Sequence, residues 1–257
     1  MNLLRSVAMA FLMFSRLPVP RVEWKKENMQ YMLAMLPLVG CVEGAILLLW
    51  CWVSSELAFG SVLFAAGMTA LPVFFTGGIH LDGFCDTVDA LSSHASPERK
   101  REILKDPRAG AFAVIFVCTY LLVMFGLYTE LPRERTAVFL ACLIPVLGRT
   151  VSGFSGVVFP VSGETGMLAA FHQSARKRAA VLILAVWFGV CAVCILSLHV
   201  WAGAGMLVAA AVCCGYVYVL SRREFGGMSG DLAGYLRQIA DLAMLAVLIV
   251  VWKVVTV

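Results

Sequence analysis

Three aspartates, Asp82, Asp86 and Asp89, are spaced so that a helix would stack their side chains on one face. They belong to the segment Gly-Gly-Ile-His-Leu-Asp-Gly-Phe-Cys-Asp-Thr-Val-Asp-Ala at 77–90, which directly follows an apolar run of membrane length. Like charges one helical turn apart repel each other by roughly 0.2–0.5 kcal/mol per pair. A divalent cation converts this repulsion into ligation, and Mg²⁺ prefers oxygen ligands. We therefore interpret the row as a Mg²⁺–pyrophosphate site at a membrane surface, although a solvated acidic helix end is the simpler alternative.

The residues that flank the aspartates fit a phosphorylated ligand. Gly77, Gly78 and Gly83 lack a Cβ and would let such a ligand approach the backbone closely. His80 could contact phosphate or take part in proton transfer. A histidine that caps the membrane boundary is an equally good interpretation.

Two later segments carry further candidates. In Lys-Asp-Pro-Arg-Ala-Gly at 105–110, Arg108 could clamp a phosphate with two parallel hydrogen bonds, and Asp106 could bind metal or orient Arg108. A charged loop on the cytoplasmic side is the alternative. In Gly-Gly-Met-Ser-Gly-Asp-Leu-Ala-Gly at 226–234, the backbone N–H groups of Gly227 and Gly230 could hold an anion, and Asp231 would add a metal ligand.

The composition predicts the elements that must position these residues. Of the 257 residues 61% are hydrophobic and 14% charged, whereas soluble domains are about half apolar and a quarter charged. A helix needs about 20 apolar residues to cross the hydrocarbon core. We predict a single all-α integral membrane domain over 1–257, a bundle of about seven transmembrane helices with an interfacial helix at 3–14. The predicted spans are 33–53, 57–79, 111–130, 137–159, 179–199, 203–220 and 239–257.

Positive charge predicts the orientation of the bundle. Most of the 20 basic residues fall on the N-terminal segment and on the connections 80–110, 160–178 and 221–238, so the positive-inside rule makes these cytoplasmic. All candidate residues then share the cytoplasmic side, as does Glu164, a weaker candidate for substrate binding. Inside the spans, Glu43 and Arg149 are costly unless they are paired or face a wet cavity, and we predict that they pair with each other. A transporter would instead place most of its polar groups near the bilayer midplane.

Five motifs together resemble one family. The segment at 77–89, with Arg-Leu-Pro-Val-Pro at 16–20, Pro-Leu-Val-Gly at 37–40, Glu-Ile-Leu-Lys-Asp-Pro-Arg-Ala-Gly at 102–110 and the segment at 226–234, is similar to the cobalamin synthase family, the adenosylcobinamide-GDP ribazoletransferases of vitamin B12 synthesis. The chain departs from the family pattern at Ala90, Pro107, Ala113, Ser229 and Gln238. None of these changes removes a candidate ligand of the main cluster.

The resemblance implies a Mg²⁺-dependent enzyme of the bacterial inner membrane. It would transfer adenosylcobinamide phosphate from adenosylcobinamide-GDP to α-ribazole or its 5′-phosphate and release GMP. Asp82, Asp86 and Asp231, with Asp106 as a further candidate, would hold Mg²⁺ on the pyrophosphate. Arg108 and His80 would steady the phosphates.

A general base, the expected partners and two rival functions complete the expectations from the sequence. Asp89 is the expected base, by analogy with CDP-alcohol phosphotransferases. Expected partners are the two substrates and membrane lipid, with no nucleic acid and with homo-oligomer formation left open. The rivals are a lipid head-group phosphotransferase that releases CMP and a membrane transporter.

Overall fold

The chain folds as a bundle of helices. The structure is a computed structural model that describes residues 2–163 and 166–255, and helices dominate this part of the chain. Glu164 lies outside the described residues. The all-α prediction is confirmed, and α1 is within one residue of the predicted 3–14. In chain order the helices are α1 (Asn2–Phe14), α2 (Lys26–Met29), α3 (Leu36–Glu56), α4 (Ser61–Thr76), α5 (Ile79–Ser92), α6 (Pro97–Ile103), α7 (Ala111–Glu130), α8 (Arg135–Val158), α9 (Met167–Ser174), α10 (Lys177–Leu198), α11 (Val200–Glu224) and α12 (Gly230–Val255).

The number of membrane-spanning helices agrees with the prediction of about seven. Within the described residues, six helices are long and apolar enough to span: α3 with the segment that leads into it, α7, α8, α10, α11 and α12. A seventh span results if α4 and α5, which meet at 94°, form one broken crossing. The 16 residues of α4 cover only about 24 Å, which is less than the hydrocarbon core of about 30 Å.

Two glycines cause the break between α4 and α5. Gly77 ends α4 with φ +66° and Gly78 precedes α5 with φ +81°, and both values lie in the left-handed region that favours glycine. The apolar run predicts one unbroken span at 57–79. The structure instead ends that helix at Thr76 and redirects the chain, so the aspartate row begins inside the bundle.

Small residues on α3 set its contact with α8. A Cβ on Gly40 would lie 2.6 Å from the backbone oxygen of Pro145, and a Cβ on Gly44 would lie 2.4 Å from that of Cys142. Close backbone approach through small residues is the usual way in which transmembrane helices associate. The contact buries the polar side chains that project from the same two helices.

Those side chains form an ion cluster within the bundle. Glu43 Oε2 lies 2.6 Å from Arg149 Nη1, as predicted, and Glu43 Oε1 lies 2.6 Å from Arg237 Nη2. Arg237 Nη2 also lies 3.4 Å from Asp241 Oδ2. The placement of Arg237 on a cytoplasmic connection was wrong, because only 2% of this residue is exposed.

The error at Arg237 follows from the start of α12. This helix begins at Gly230 and not near 239, and the Ser229 hydroxyl accepts a hydrogen bond from the Leu232 N–H at 3.2 Å. Polar side chains in its first turns face neighbouring helices. A polar face that points into a bundle resembles a loop in sequence, because hydropathy does not distinguish the interior of a bundle from water.

The connections that carry the candidate residues meet at one end of the bundle, called here the site end. Val161, after α8, forms an isolated bridge with Met228, before α12. Arg101 of α6 donates to the Phe225 carbonyl at 3.3 Å. At the opposite end, Lys253 of α12 pairs with Glu130 of α7. The grouping of the polar connections matches the prediction.

Candidate active site

The close crossing of α5 and α12 brings the aspartate row to Asp231. A Cβ on Gly83 would lie 2.7 Å from the Asp231 carbonyl oxygen, and a Cβ on Gly234 would lie 3.0 Å from the His80 carbonyl oxygen. Gly83 therefore serves helix packing. The sequence suggested that Gly83 lets a ligand approach the backbone, whereas the structure shows that it lets α12 approach α5.

The other two glycines of this segment also have structural roles. The side chain of Arg16 packs against Gly77, where a Cβ would lie 2.0 Å from Arg16 Nε. At Gly78 a Cβ would meet nothing within 4 Å, so the backbone conformation at the break accounts for glycine there.

Four carboxylates gather where α5 meets α12. Asp82, Asp86 and Asp89 are spaced along α5, Asp231 lies in the first turn of α12 beside Gly83, and Asp82 and Asp231 line the same cavity. Within the described residues none of the four forms an ion pair, and the Ser229 hydroxyl is 3.4 Å from Asp231 Oδ2. Negative charge is thus concentrated without a protein counter-charge.

The carboxylates do not form a closed metal site by themselves. In the described part of the chain no three His, Cys, Asp or Glu side chains are arranged to hold a metal ion. This agrees with the habit of Mg²⁺, which binds one or two carboxylates and completes its shell with water and substrate phosphates. The donor set is therefore suitable for Mg²⁺ that arrives with a diphosphate.

Asp89 lies at the edge of this group. A Cβ on Gly110 would be only 2.1 Å from Asp89 Oδ1, so the carboxylate sits against the residue that precedes α7. The N-terminus of a helix stabilises a negative charge. The position gives Asp89 a structural role in joining α5 to α7.

Two neighbouring cavities at the site end share Met167, Leu168, Gly230 and Asp231. The first, called the apolar cavity, has a volume of about 150 Å³. It is lined by Met13, Phe14, Leu33, Leu36, Ile79, His80, Asp82, Ser152, Met167, Leu168, Phe171, Gly230, Asp231, Ala233 and Gly234. The second, called the basic cavity, has a volume of about 290 Å³ and is lined by Arg101, Leu104, Lys105, Val161, Ser162, Gly166, Met167, Leu168, Ala169, Met228, Ser229, Gly230 and Asp231.

His80 forms part of the wall of the apolar cavity. Only 4% of the residue is exposed, and its ring stacks on Phe14 with 5.6 Å between centroids. Its Nε2 is buried without a hydrogen-bond partner in the described structure. A buried polar atom without a partner is costly, so a bound ligand that supplies the hydrogen bond would be favoured.

A short helix supplies the positive charge of the basic cavity. Lys100 of α6 is buried against Glu224 at the end of α11 and forms an ion pair with it. This anchor places Arg101 and Lys105 at the cavity wall. The sequence analysis named neither as a binding residue. The Arg-Lys-Arg run at 99–101, one turn before Lys105, was the available signal.

The loop before α12 does not bind anions in the way that its glycines predicted. The Gly227 N–H donates to the Ser221 carbonyl at 2.8 Å, and the Met228 N–H donates to the Pro160 carbonyl at 2.7 Å. Because these donors are already used within the protein, the predicted role of Gly227 is wrong. Gly230 does line both cavities.

Asp106 and Arg108 pair with each other on an exposed loop. The Arg108 Nε–Asp106 Oδ1 and Nη2–Asp106 Oδ2 distances are 2.9 and 2.8 Å, and 84% of the arginine side chain is exposed. Arg108 lowers the pKa of Asp106 from its ordinary value of 3.8 to about 2. Neither residue lines the two cavities, so the structure supports the orienting role of Asp106 and not metal ligation.

Comparison with known proteins identifies the family. The sequence model of the cobalamin-5-phosphate synthase family matches residues 6–249. The chain belongs to this family. The match includes the aspartate row, both arginines of the ion cluster and the start of α12.

Named relatives support the assignment to cobalamin-5-phosphate synthases along nearly the whole chain. A Lachnoclostridium phytofermentans protein is 38% identical over 91% of this chain and 89% of its own length. A Clostridium perfringens protein is 32% identical over 90% and 92%, and one from Pseudomonas syringae is 34% identical over 86% and 89%. All three are named adenosylcobinamide-GDP ribazoletransferase. No solved structure shows significant similarity to the chain.

Proposed function

We propose that this protein transfers adenosylcobinamide phosphate from adenosylcobinamide-GDP to α-ribazole or its 5′-phosphate, with Mg²⁺, and releases GMP. Membership of the cobalamin-5-phosphate synthase family and the names of the relatives support the substrates. The observation that carries the chemistry is the position of Asp231, which lines both the basic and the apolar cavity. It lies beside Asp82 and Asp86, and within the described residues none of the three forms an ion pair. A phosphoryl transfer needs alignment and charge neutralisation more than it needs a protein nucleophile.

The two cavities divide the tasks of the reaction. Arg101 and Lys105 would bind the phosphates of the nucleotide that leaves, because they supply positive charge at the site end. One or two carboxylates of the set Asp82, Asp86 and Asp231 would hold Mg²⁺, which would neutralise charge on the diphosphate. A ribose hydroxyl of the acceptor then attacks the phosphorus nearer the corrinoid, a P–O bond forms, and the bond to GMP breaks.

The position of His80 favours it over Asp89 as the group that takes the proton from the attacking hydroxyl. His80 lines the apolar cavity together with Asp82 and Asp231, and its Nε2 has no other partner in the described residues. Asp89 lines neither cavity and is packed against Gly110. A base must come within hydrogen-bond reach of the proton that it removes.

The location follows from the bundle and from the charge pattern. Helices of membrane length and the excess of basic residues on the connections of the site end support an inner-membrane enzyme whose site faces the cytoplasm. Both substrates would then reach the site without crossing the bilayer.

The test is to incubate the purified protein with adenosylcobinamide-GDP and α-ribazole, with and without Mg²⁺, and to identify the nucleotide product. GMP formed only with Mg²⁺ and both substrates is the expected result. His80→Ala should reduce this turnover more than Asp89→Asn does. CMP release from a CDP-alcohol, or solute uptake by vesicles without nucleotide release, would instead support one of the rival functions.

A further inference from the structure

The lining of the apolar cavity is unsuited to the charged phosphates of the donor. Most of its lining residues are Met, Leu, Ile, Phe, Ala and Gly, and the polar ones are His80, Asp82, Ser152 and Asp231. The rings of Phe14 and Phe171 lie on it, from α1 and α9 respectively. Flat apolar ligands gain most from such a wall, because aromatic faces stack and apolar area leaves water.

Among the described residues of this wall, one buried polar atom lacks a hydrogen-bond partner. Nε2 of His80 is buried and unpartnered, whereas the Ser152 hydroxyl is already engaged with the Ala233 carbonyl at 3.1 Å. The cavity can therefore donate a hydrogen bond from His80, whereas Asp82 and Asp231 only accept, so it offers little to a ligand edge that carries several acceptors. Ligand pockets commonly combine an apolar lining with a few polar groups that fix orientation.

We propose that the apolar cavity binds the heterocyclic base of the acceptor nucleoside and thereby selects benzimidazole-type bases over purines. The inference rests on the proposed function, which supplies a ribazole acceptor. A benzimidazole presents a flat apolar edge to this wall. Its one free ring nitrogen can be satisfied by the His80 imidazole. Adenine instead carries three ring nitrogens that accept hydrogen bonds, and at least two of them would face apolar side chains or carboxylates, which do not donate. With the base held in the cavity, the ribose lies toward Asp231 and the basic cavity, where the donor phosphates bind.

Two substitutions in the wall test the proposal. Ala233→Leu adds volume from α12 and should weaken α-ribazole binding at least about tenfold, as measured by equilibrium dialysis without Mg²⁺ and donor. Phe171→Ala removes a stacking face and should raise the dissociation constant by a similar factor. Ala185→Leu is the matched control, because Ala185 is exposed on α10 and lines neither cavity.

A comparison of acceptors completes the test. The wild-type protein should use α-ribazole with a kcat/KM at least about tenfold higher than the corresponding adenine riboside, and Phe171→Ala should reduce this ratio. The KM for adenosylcobinamide-GDP should stay unchanged in both wall variants. If Ala233→Leu does not fold, the binding and acceptor ratio of Phe171→Ala decide.

The outcomes separate this inference from the proposed function. GMP release by the wild type, with normal α-ribazole binding in the folded wall variants, would overturn the inference and leave the proposed function intact. Equal use of the two acceptors would overturn it as well. A wild type that neither binds α-ribazole nor releases GMP would overturn the proposed function itself.

Discussion

The protein contains two clusters of charged residues, about 9 Å apart along α12, that are built in opposite ways. In the ion cluster, Glu43 and Asp241 are matched by Arg149 and Arg237 and are almost wholly buried. In the second cluster, four aspartates meet near the site end and none of them has a cationic partner within the described residues.

The difference teaches which charges stabilise the fold and which serve a ligand. Buried charges within a membrane protein must be paired, and in the ion cluster two carboxylates face two guanidinium groups, so its charges balance within the protein. The aspartates repel each other and gain from a cation that the protein does not provide. Substitutions in the first cluster should therefore affect stability, and substitutions in the second should affect activity.

The largest expected effect is on activity. Asp86→Asn should lower kcat for GMP release by about 10²–10³-fold, because it removes one negative charge and one oxygen donor from the candidate Mg²⁺ site. Thermal unfolding should occur at the same temperature or slightly higher, since repulsion within the row is reduced. A large loss of stability together with activity would contradict the view that the aspartates serve a ligand and not the fold.

The next effect is on stability. Glu43→Gln leaves Arg149 and Arg237 without their shared carboxylate, and breaking a buried ion pair costs about 3–5 kcal/mol. The unfolding temperature in detergent should fall markedly. Glu56→Gln is the matched control, because Glu56 lies exposed at the end of the same helix. Equal unfolding temperatures for the two variants would contradict the structural role of the ion cluster.

A smaller effect should come from the contact that joins α5 to α12 beside the aspartates. Gly83→Ala would place a Cβ 2.7 Å from the backbone oxygen of Asp231. Separating α5 from α12 should cost about 1–3 kcal/mol in stability and should also reduce turnover. Gly78→Ala tests backbone strain instead of packing, since its Cβ would meet nothing within 4 Å. Turnover that survives in Gly83→Ala would mean that the spacing of Asp82 and Asp231 is not critical.

The smallest effect concerns the exposed pair. Asp106→Asn should change kcat/KM by less than about threefold, because Asp106 lines neither cavity. Its pKa is lowered to about 2 in the folded protein, so its stabilising contribution is present above about pH 4 and is lost as the pH falls toward 2. Between about pH 4 and pH 2, the unfolding temperature of the variant should therefore fall slightly less than that of the wild type. A large loss of activity would restore Asp106 as a metal ligand.

Some features of the fold and of the candidate site can be predicted from the sequence, and others cannot. Long apolar runs predicted the spans. The spacing of Asp82, Asp86 and Asp89 predicted a helix that carries all three side chains on one face. The break at Gly77 and Gly78 was missed, because apolar residues continue up to it and glycine alone does not specify a left-handed backbone.

Features that depend on two distant segments were the hardest to predict. Arg237 was assigned to a connection because a charged residue near a span end normally faces water, and only its contact with Glu43 shows otherwise. The apolar cavity draws Phe14, His80 and Phe171 from three separate parts of the chain. Pairing between Glu43 and Arg149 could be predicted because both are expensive in the membrane and few partners exist.

The most direct test of the difference between the clusters is the effect of Mg²⁺ on thermal unfolding in the presence of adenosylcobinamide-GDP. Mg²⁺ should raise the unfolding temperature of the wild type and, by a similar amount, that of the less stable Glu43→Gln variant. It should have no effect on a variant that carries both Asp82→Asn and Asp86→Asn. A Mg²⁺-dependent rise that persists in the double variant, or that is absent from the wild type, would contradict the assignment of the aspartates as the cation site.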